Sequence, residues 1–249
     1  AKGYGLATNL EDLWGKEYYS NVSSTKEILF ARRTASSNTF EGYNFPVGYS
    51  SGQGGNCPTQ DLVDAFECTD GKSISESPLY DANDPYANRD PRLAKTVVVN
   101  GEAWPNDLAA YNSEYPTIET YVGGYHSRTG NAAGKSYATT TGYYLKKFCN
   151  PDQILRARSG VAVTTSPHGW LTFRMGGMYL NYAEALYEYF KACGNGNAAD
   201  ASGAVEYTDA EGNAQSVTVP ASQTAAKMAS KTRERSSMPA FVTGMTNDA

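Results

Sequence analysis

The stretch from Leu171 to Phe190 constrains the fold most, because it carries the clearest helical period in the chain. Leu171, Met175, Met178, Tyr182, Leu186 and Tyr189 recur in steps of three and four, which puts one apolar stripe on a helix and demands a packed partner. Gly176 and Gly177 sit inside it, each costing about 1 kcal/mol relative to Ala. Their expected compensation is the close approach of a neighbouring helix. Gly194–Asn197 ends the element. Ala204–Thr208 and Gln215–Val219 then read as two strands around a polar turn, and a second helix is expected from Pro220 to about Arg235, with proline in its first turn and Met238-Pro239 beyond its end.

The rest of the chain is different in kind. Leu10–Trp14 reads as a short helical segment, Glu27–Phe30 as an apolar run, and Ala35–Pro58 as ordered Gly/Ser/Asn/Tyr-rich loop. Asp61–Phe66 is expected as a short helix. Tyr80–Pro91 is too rich in Asp, Asn and Pro for a regular helix. Thr96–Val99 is β-branched and strand-like, and Asn100-Gly101 is a hairpin-turn signal after it. Tyr111–Tyr144 is again turn-rich. The expected organisation is a loop-rich region over 1–170 and a helical part over 171–249, with an inserted hairpin near 204–219.

Composition narrows the function. With 249 residues the chain can bury a substantial core without metal or disulfides. No window approaches eighteen consecutive apolar residues, so no membrane span is expected. A net charge of −5 argues against a nucleic-acid partner. Tyr supplies 19 residues, a rigid amphipathic ring suited to ligands with both polar edges and flat apolar faces. Cys57, Cys68, Cys149 and Cys193 lack metal-ligand spacing; Cys57 and Cys68 are near enough to pair, and free thiols fit equally well. Ala1 opens directly on globular sequence and Ala249 follows no closing element, so the chain reads as a fragment whose start could have carried a targeting signal.

Three catalytic motifs are approached and missed. Gly48-Tyr49-Ser50-Ser51-Gly52 has the spacing of a nucleophile elbow, with His126 or His168 as the available base. Yet Pro46 precedes it and Gln53–Pro58 cannot start the helix that the motif requires. Asp81–Arg92 is rich in oxygen ligands, but Tyr86 stands where a calcium loop needs glycine and Arg92 where it needs glutamate. Arg89, Asp90 and Arg92 are better read as a hydrogen-bonded lattice that shapes the loop. Gly130–Ser136 imitates a phosphate loop one residue short. No acid pair is marked out for glycoside cleavage. No catalytic residue, metal site or cofactor is expected.

Four segments, in order, resemble one family. Pro58–Phe66 leads. Tyr80–Leu93 contains Pro85-Tyr86-Ala87-Asn88-Arg89-Asp90-Pro91-Arg92-Leu93, similar to a signature of the SusD/RagB family. Met178-Tyr179-Leu180-Asn181-Tyr182-Ala183-Glu184-Ala185 resembles its tyrosine-bearing helix, and Thr232–Pro239 its later Arg-rich segment. The resemblance implies a mainly α fold, a tetratricopeptide-like α/α superhelix with a large loop-rich region and a few short strands. It also implies a non-enzymatic receptor, lipid-anchored at the outer face of the outer membrane of a Bacteroidetes-type bacterium. Such a receptor takes an oligosaccharide and passes it to a SusC-like TonB-dependent transporter. Some relatives take peptides instead. Gly176-Gly177 departs from the family's Ala-Glu, residues 194–219 are longer than its usual connection, and the family's anchored start, first repeats and final segment are not among these residues.

A sugar needs a flat ring against its apolar face and polar groups at its hydroxyl edge. Trp104 is the expected stacking face, with Asn106 and Asp107 at the edge, and Tyr80 and Tyr86 as further ligand contacts beside Asn83 and Asp84. Trp104 and Tyr80 also lie roughly where the family presents stacking aromatics. On this reading Trp104→Ala weakens glycan binding with little loss of stability. Tyr179, Tyr182, Tyr187 and Tyr189, with Trp14 and Trp170, are assigned to packing.

Overall fold

The computed structural model of the chain describes residues 3–14, 26–49 and 51–244. In order, these form β1 (Ile28–Arg33), α1 (Thr39–Asn44), α2 (Gln60–Asp64), α3 (Pro91–Thr96), β2 (Val97–Val98), α4 (Leu108–Tyr111), β3 (Tyr144–Leu145), β4 (Gly169–Arg174), α5 (Met175–Ala192), β5 (Gly203–Thr208), β6 (Ala214–Val219) and α6 (Ala225–Glu234). The strands pair only two by two, β1 with β4, β2 with β3 and β5 with β6. Helix outweighs strand, and long ordered loops join the elements. No helix among the described residues is long and apolar enough to cross a membrane. Contacts gather the described chain into two units, one from residues 9–14 and 31–172, the other from 3–8, 26–30 and 173–244.

In the loop-rich unit the core is assembled by loops more than by elements. Phe45, Val47, Tyr49, Val98, Trp104, Leu108, Ile118 and Tyr144 pack into one buried cluster, and Val63, Leu93, Val97 and Tyr143 into a second. Asp90 starts α3: its side chain accepts from Arg92 N at 2.8 Å, with Pro91 at the first helical position, where its missing N–H is harmless. Arg89, 6% exposed, donates to the carbonyls of Pro85 (2.8 Å), Val63 (2.6 Å) and Phe66 (2.7 Å). The Asp/Pro-rich segment is therefore closed around a guanidinium that meets three backbone carbonyls. Asn100-Gly101 does form a turn, with Gly101 at φ +86°, but β2 pairs antiparallel with Tyr144–Leu145 instead of the chain that follows the turn. Ala35–Pro58, expected as ordered loop, also yields a short helix at α1.

The helical unit buries one face of α5 against α6. Ala183, Leu186 and Phe190 meet Ala225 and Met228, with Ala198, Ala201 and Val219 closing the cluster. The sequence places this helix too early: Leu171–Arg174 lie in β4, whose partner β1 is over a hundred residues away and invisible to local periodicity. The buried stripe is Gly176, Ala183, Leu186 and Phe190, while Tyr182 is 37% exposed. Tyr179, Tyr187 and Tyr189 pack against the cluster as expected. The second helix begins at Ala225, after a 3-10 turn over Ala221–Gln223 that follows Pro220. The hairpin forms in register from Gly203↔Val219 to Thr208↔Ala214. All four cysteines are free thiols, so Cys57 and Cys68 are not joined.

Candidate functional site

The Asp90-capped helix α3 runs directly into β2, and this junction builds a cavity. The Thr96 carbonyl accepts from Lys146 N (3.0 Å) and Lys147 N (3.1 Å), which sets Lys146 beside the α3 residue Lys95. After the Asn100-Gly101 turn, Ile118 N donates to the Glu102 carbonyl at 2.8 Å and brings the chain back towards Trp104. Asn106 N donates to the Pro151 carbonyl (3.0 Å), and its side-chain amide to Asp152 (2.5 Å). Trp104 and Asn106 thus reach one cavity of about 570 Å³, shared with Trp14, Lys95, Lys146 and Asp152. Its volume is that of a small-molecule site, typically ~300–1,000 Å³.

Trp104 does not offer a free face. It is 4% exposed and packs edge-on against Phe45, with ring centroids 5.1 Å apart and planes at 73°. The ring is part of the core and part of the cavity wall at once. Trp14, assigned to packing from sequence, is likewise buried and likewise lines the cavity.

The charges at the site are met locally. Lys95 pairs with Glu11 and Lys146 with Glu102. Burial holds the Lys95 ammonium below its ordinary range, and the neighbouring Lys146 charge adds to the effect. Burial pushes the Cys149 thiol well up, with a smaller contribution from Glu41, so this wall of the cavity is uncharged and a poor nucleophile.

The other residues expected at the site lie elsewhere. Asp107 is clasped by Arg158, at 2.7 and 2.6 Å to its two oxygens. Tyr80 lies under the Arg89 guanidinium, 5.8 Å from the ring centre. Tyr86 packs edge-on against Tyr143 at 6.4 Å, and burial raises its hydroxyl pKa. None of the three lines the cavity. Ser50 lies outside the described residues. Of the two imidazoles considered as its base, His126 is fully buried and accepts from Glu119 N at Nδ1 (3.1 Å). His168 is buried with Nε2 2.9 Å from Glu41, whose Oε1 also accepts from Asn150 N (2.9 Å). Trp14, Lys95, Lys146 and Asp152 were missed in the sequence as site residues. Only Lys95 had a signal, its place in the helix that follows Arg89-Asp90-Pro91.

Short elements frame ordered loops in this unit, with an aromatic-walled cavity among them. The chain belongs to the SusD family, whose family model matches residues 11–247. Its fold is similar to a SusD-like protein from Bacteroides fragilis, with a TM-score of 0.62 and 22% identity over 98% of this chain and 42% of that one. A SusD-like carbohydrate binding protein from the same organism matches with a TM-score of 0.53 and 20% identity, over 74% of this chain and 33% of that one. The chain therefore spans less than half the length of either. No curated protein matches it.

Proposed function

We propose that the chain is part of a surface receptor that binds an oligosaccharide in the Trp104 cavity and releases it chemically unchanged. The observation that carries this reading is the meeting of Trp104, Trp14, Asn106 and Asp152 at one cavity, in a chain of the SusD family. Indole edges supply apolar wall, while the amide and the carboxylate supply donors and acceptors for ring hydroxyls. Trp104 and Asn106 contact the sugar in the cavity. Asp107, Tyr80 and Tyr86 are the contacts offered to the remainder of a longer glycan. The loop-rich residues 1–170 form the ligand-binding region, and α5 and α6 form one tetratricopeptide-like pair of a longer α/α superhelix. In the whole protein, a lipid anchor holds the receptor on the outer face of the outer membrane, and a TonB-dependent SusC-like transporter takes over the ligand.

The test is binding and turnover on the same material. The purified chain is applied to an array of neutral and acidic glycans and of peptides, and the bound glycans are then incubated with it and analysed for cleavage. Glycan binding with intact recovery is expected. Released fragments would make it a hydrolase, and binding confined to peptides would move it to the peptide-taking branch of the family.

A further inference from the structure

A second concavity lies against α1, built by the glycine-rich ribbon that follows it. Gln53 N donates to the Gly42 carbonyl (3.0 Å), Gly54 N to the Phe45 carbonyl (2.9 Å) and Gly55 N to the Tyr43 carbonyl (2.6 Å), so residues 53–55 are zipped along the helix. Side chains would break this contact. A Cβ at Gly52 would strike the Pro46 carbonyl, one at Gly55 would come within 2.7 Å of the Tyr43 carbonyl, and Gly54, at φ +55°, lies against the Tyr144 ring. The glycines bury their backbone, and Gln53 is left projecting outward beside Tyr43.

The result is a groove of about 180 Å³ lined by Asn38, Thr39, Gly42, Tyr43, Gln53 and Leu155 among others. The Tyr43 ring is 56% exposed. The side chains of Asn38, Tyr43 and Gln53 have no hydrogen-bond partner among the described residues. The nearby Asn44 is by contrast committed, its Oδ1 accepting from Asn56 N (3.2 Å) and Asn56 Nδ2 (2.6 Å). An exposed ring between two uncommitted amides, in a groove without a charged wall, matches a neutral pyranose. The ring meets the sugar's apolar face, and each amide can both donate to and accept from vicinal hydroxyls.

From this geometry we infer that the Tyr43 groove, with Asn38 and Gln53, is a second sugar-binding subsite, specific for one neutral hexose unit of a glycan. It rests on the glycan-receptor reading and extends it. The groove is smaller than the ~300–1,000 Å³ of a self-sufficient small-molecule site. It therefore holds a single ring of a longer chain.

The test uses side-chain amide signals as separate reporters. The 15N-labelled chain is titrated with neutral hexasaccharides of glucose, galactose and mannose, and with a uronic-acid oligomer. The Asn38 and Gln53 amides report the groove, and the Asn106 amide with the Trp104 indole reports the cavity. A neutral hexasaccharide should shift Asn38 and Gln53 with saturation. Tyr43→Ala should weaken the affinity read there about tenfold, the size of one lost ring contact, and leave the cavity reporters unchanged. Tyr43 is exposed enough for that variant to fold. Gly42→Gln, whose Cβ would meet no atom within 4 Å, should block the groove in the same way. Shifts confined to the cavity reporters would overturn this subsite and leave the receptor reading standing. Groove shifts that survive both substitutions, or that only the uronic-acid oligomer produces, would also overturn it. Silence at both sets of reporters would end the glycan reading and the subsite together.

Discussion

Arg174 donates to Glu27 at 2.7 Å, and the side chain that Gly176 lacks would stand against both groups. Glu27 is fully buried, and its other oxygen accepts from Ala7 N (2.6 Å) and Arg235 (2.8 Å). One carboxylate therefore joins the entry to β1, the end of β4 and the end of α6. Its removal takes the carboxylate away from both Arg174 and Arg235, whose side chain is only 6% exposed. Glu27→Ala should cost about 3–5 kcal/mol, the usual penalty for breaking a buried ion pair from one side. Urea unfolding followed by far-ultraviolet circular dichroism measures it. A loss below about 1 kcal/mol would mean that the pair is solvated and contributes little.

The adjacent glycines should then behave oppositely. A methyl at Gly176 meets the Arg174 guanidinium and the Glu27 carboxylate, at 2.9 Å from the latter, so Gly176→Ala forces the ion pair apart. At Gly177 nothing lies within 4 Å, and alanine there should raise stability by up to about 1 kcal/mol through helix propensity alone. Thermal unfolding of the two variants decides it. Equal effects of the same sign would show that Gly176 has no special tenant.

This pair of glycines shows where sequence reasoning stops. The cost of glycine in a helix is local and was readable, but the space is filled by the ion pair of Arg174 with Glu27, and Glu27 lies nearly 150 positions earlier. The same division holds elsewhere. Asp90-Pro91, the β5–β6 hairpin and the body of α5 are dictated by neighbours within a few residues, and they stood out. The start of α5 did not, because β1 captures Gly169–Arg174 as a strand, and the partner of β2 did not, because Tyr144–Leu145 return from a distant loop. The site divides likewise. Trp104 and Asn106 were legible as a ring and an amide beside a turn. That they share a wall with Trp14, Lys146 and Asp152 is a product of loop packing, which leaves no periodic trace.

Trp104 also illustrates why a binding residue needs its burial known. With the ring in the core, Trp104→Ala should cost about 3–5 kcal/mol, against the small loss expected from sequence. Weakened binding in that variant would confound folding with contact. Asn106 is exposed, so Asn106→Ala should stay within about 0.5 kcal/mol of the parent in stability. Its affinity for a bound glycan should fall about fivefold to tenfold, as one edge hydrogen bond is lost. Calorimetric titration alongside unfolding separates the two quantities. Full affinity in a stable Asn106→Ala protein would remove the amide from the site.

His126 makes the stability of the loop over 119–130 depend on pH. His126 N donates to the Glu119 carbonyl (3.0 Å), Glu119 N donates back to Nδ1 (3.1 Å), and Tyr144 donates to the His126 carbonyl (2.7 Å). With Nδ1 an acceptor, the proton sits on Nε2, and the ring is neutral. Burial is the main reason that its pKa falls from 6.5 to about 4, with Glu119 pulling weakly the other way. The folded pKa lies below the unfolded one, so the unfolded chain takes up a proton that the folded chain refuses. Stability is complete above pH 6.5 and declines as pH falls towards 4, by about 1.4 kcal/mol for each unit. His126→Asn keeps an oxygen acceptor for Glu119 N and removes the titration. Between about pH 7.5 and pH 5 the parent should lose about 2 kcal/mol more than this variant in urea unfolding. Every other ionisable residue is the same in both proteins, so the comparison isolates His126. Parallel losses would mean that the imidazole is protonated inside the fold, and that the Glu119 N to Nδ1 bond is not the one that holds the loop.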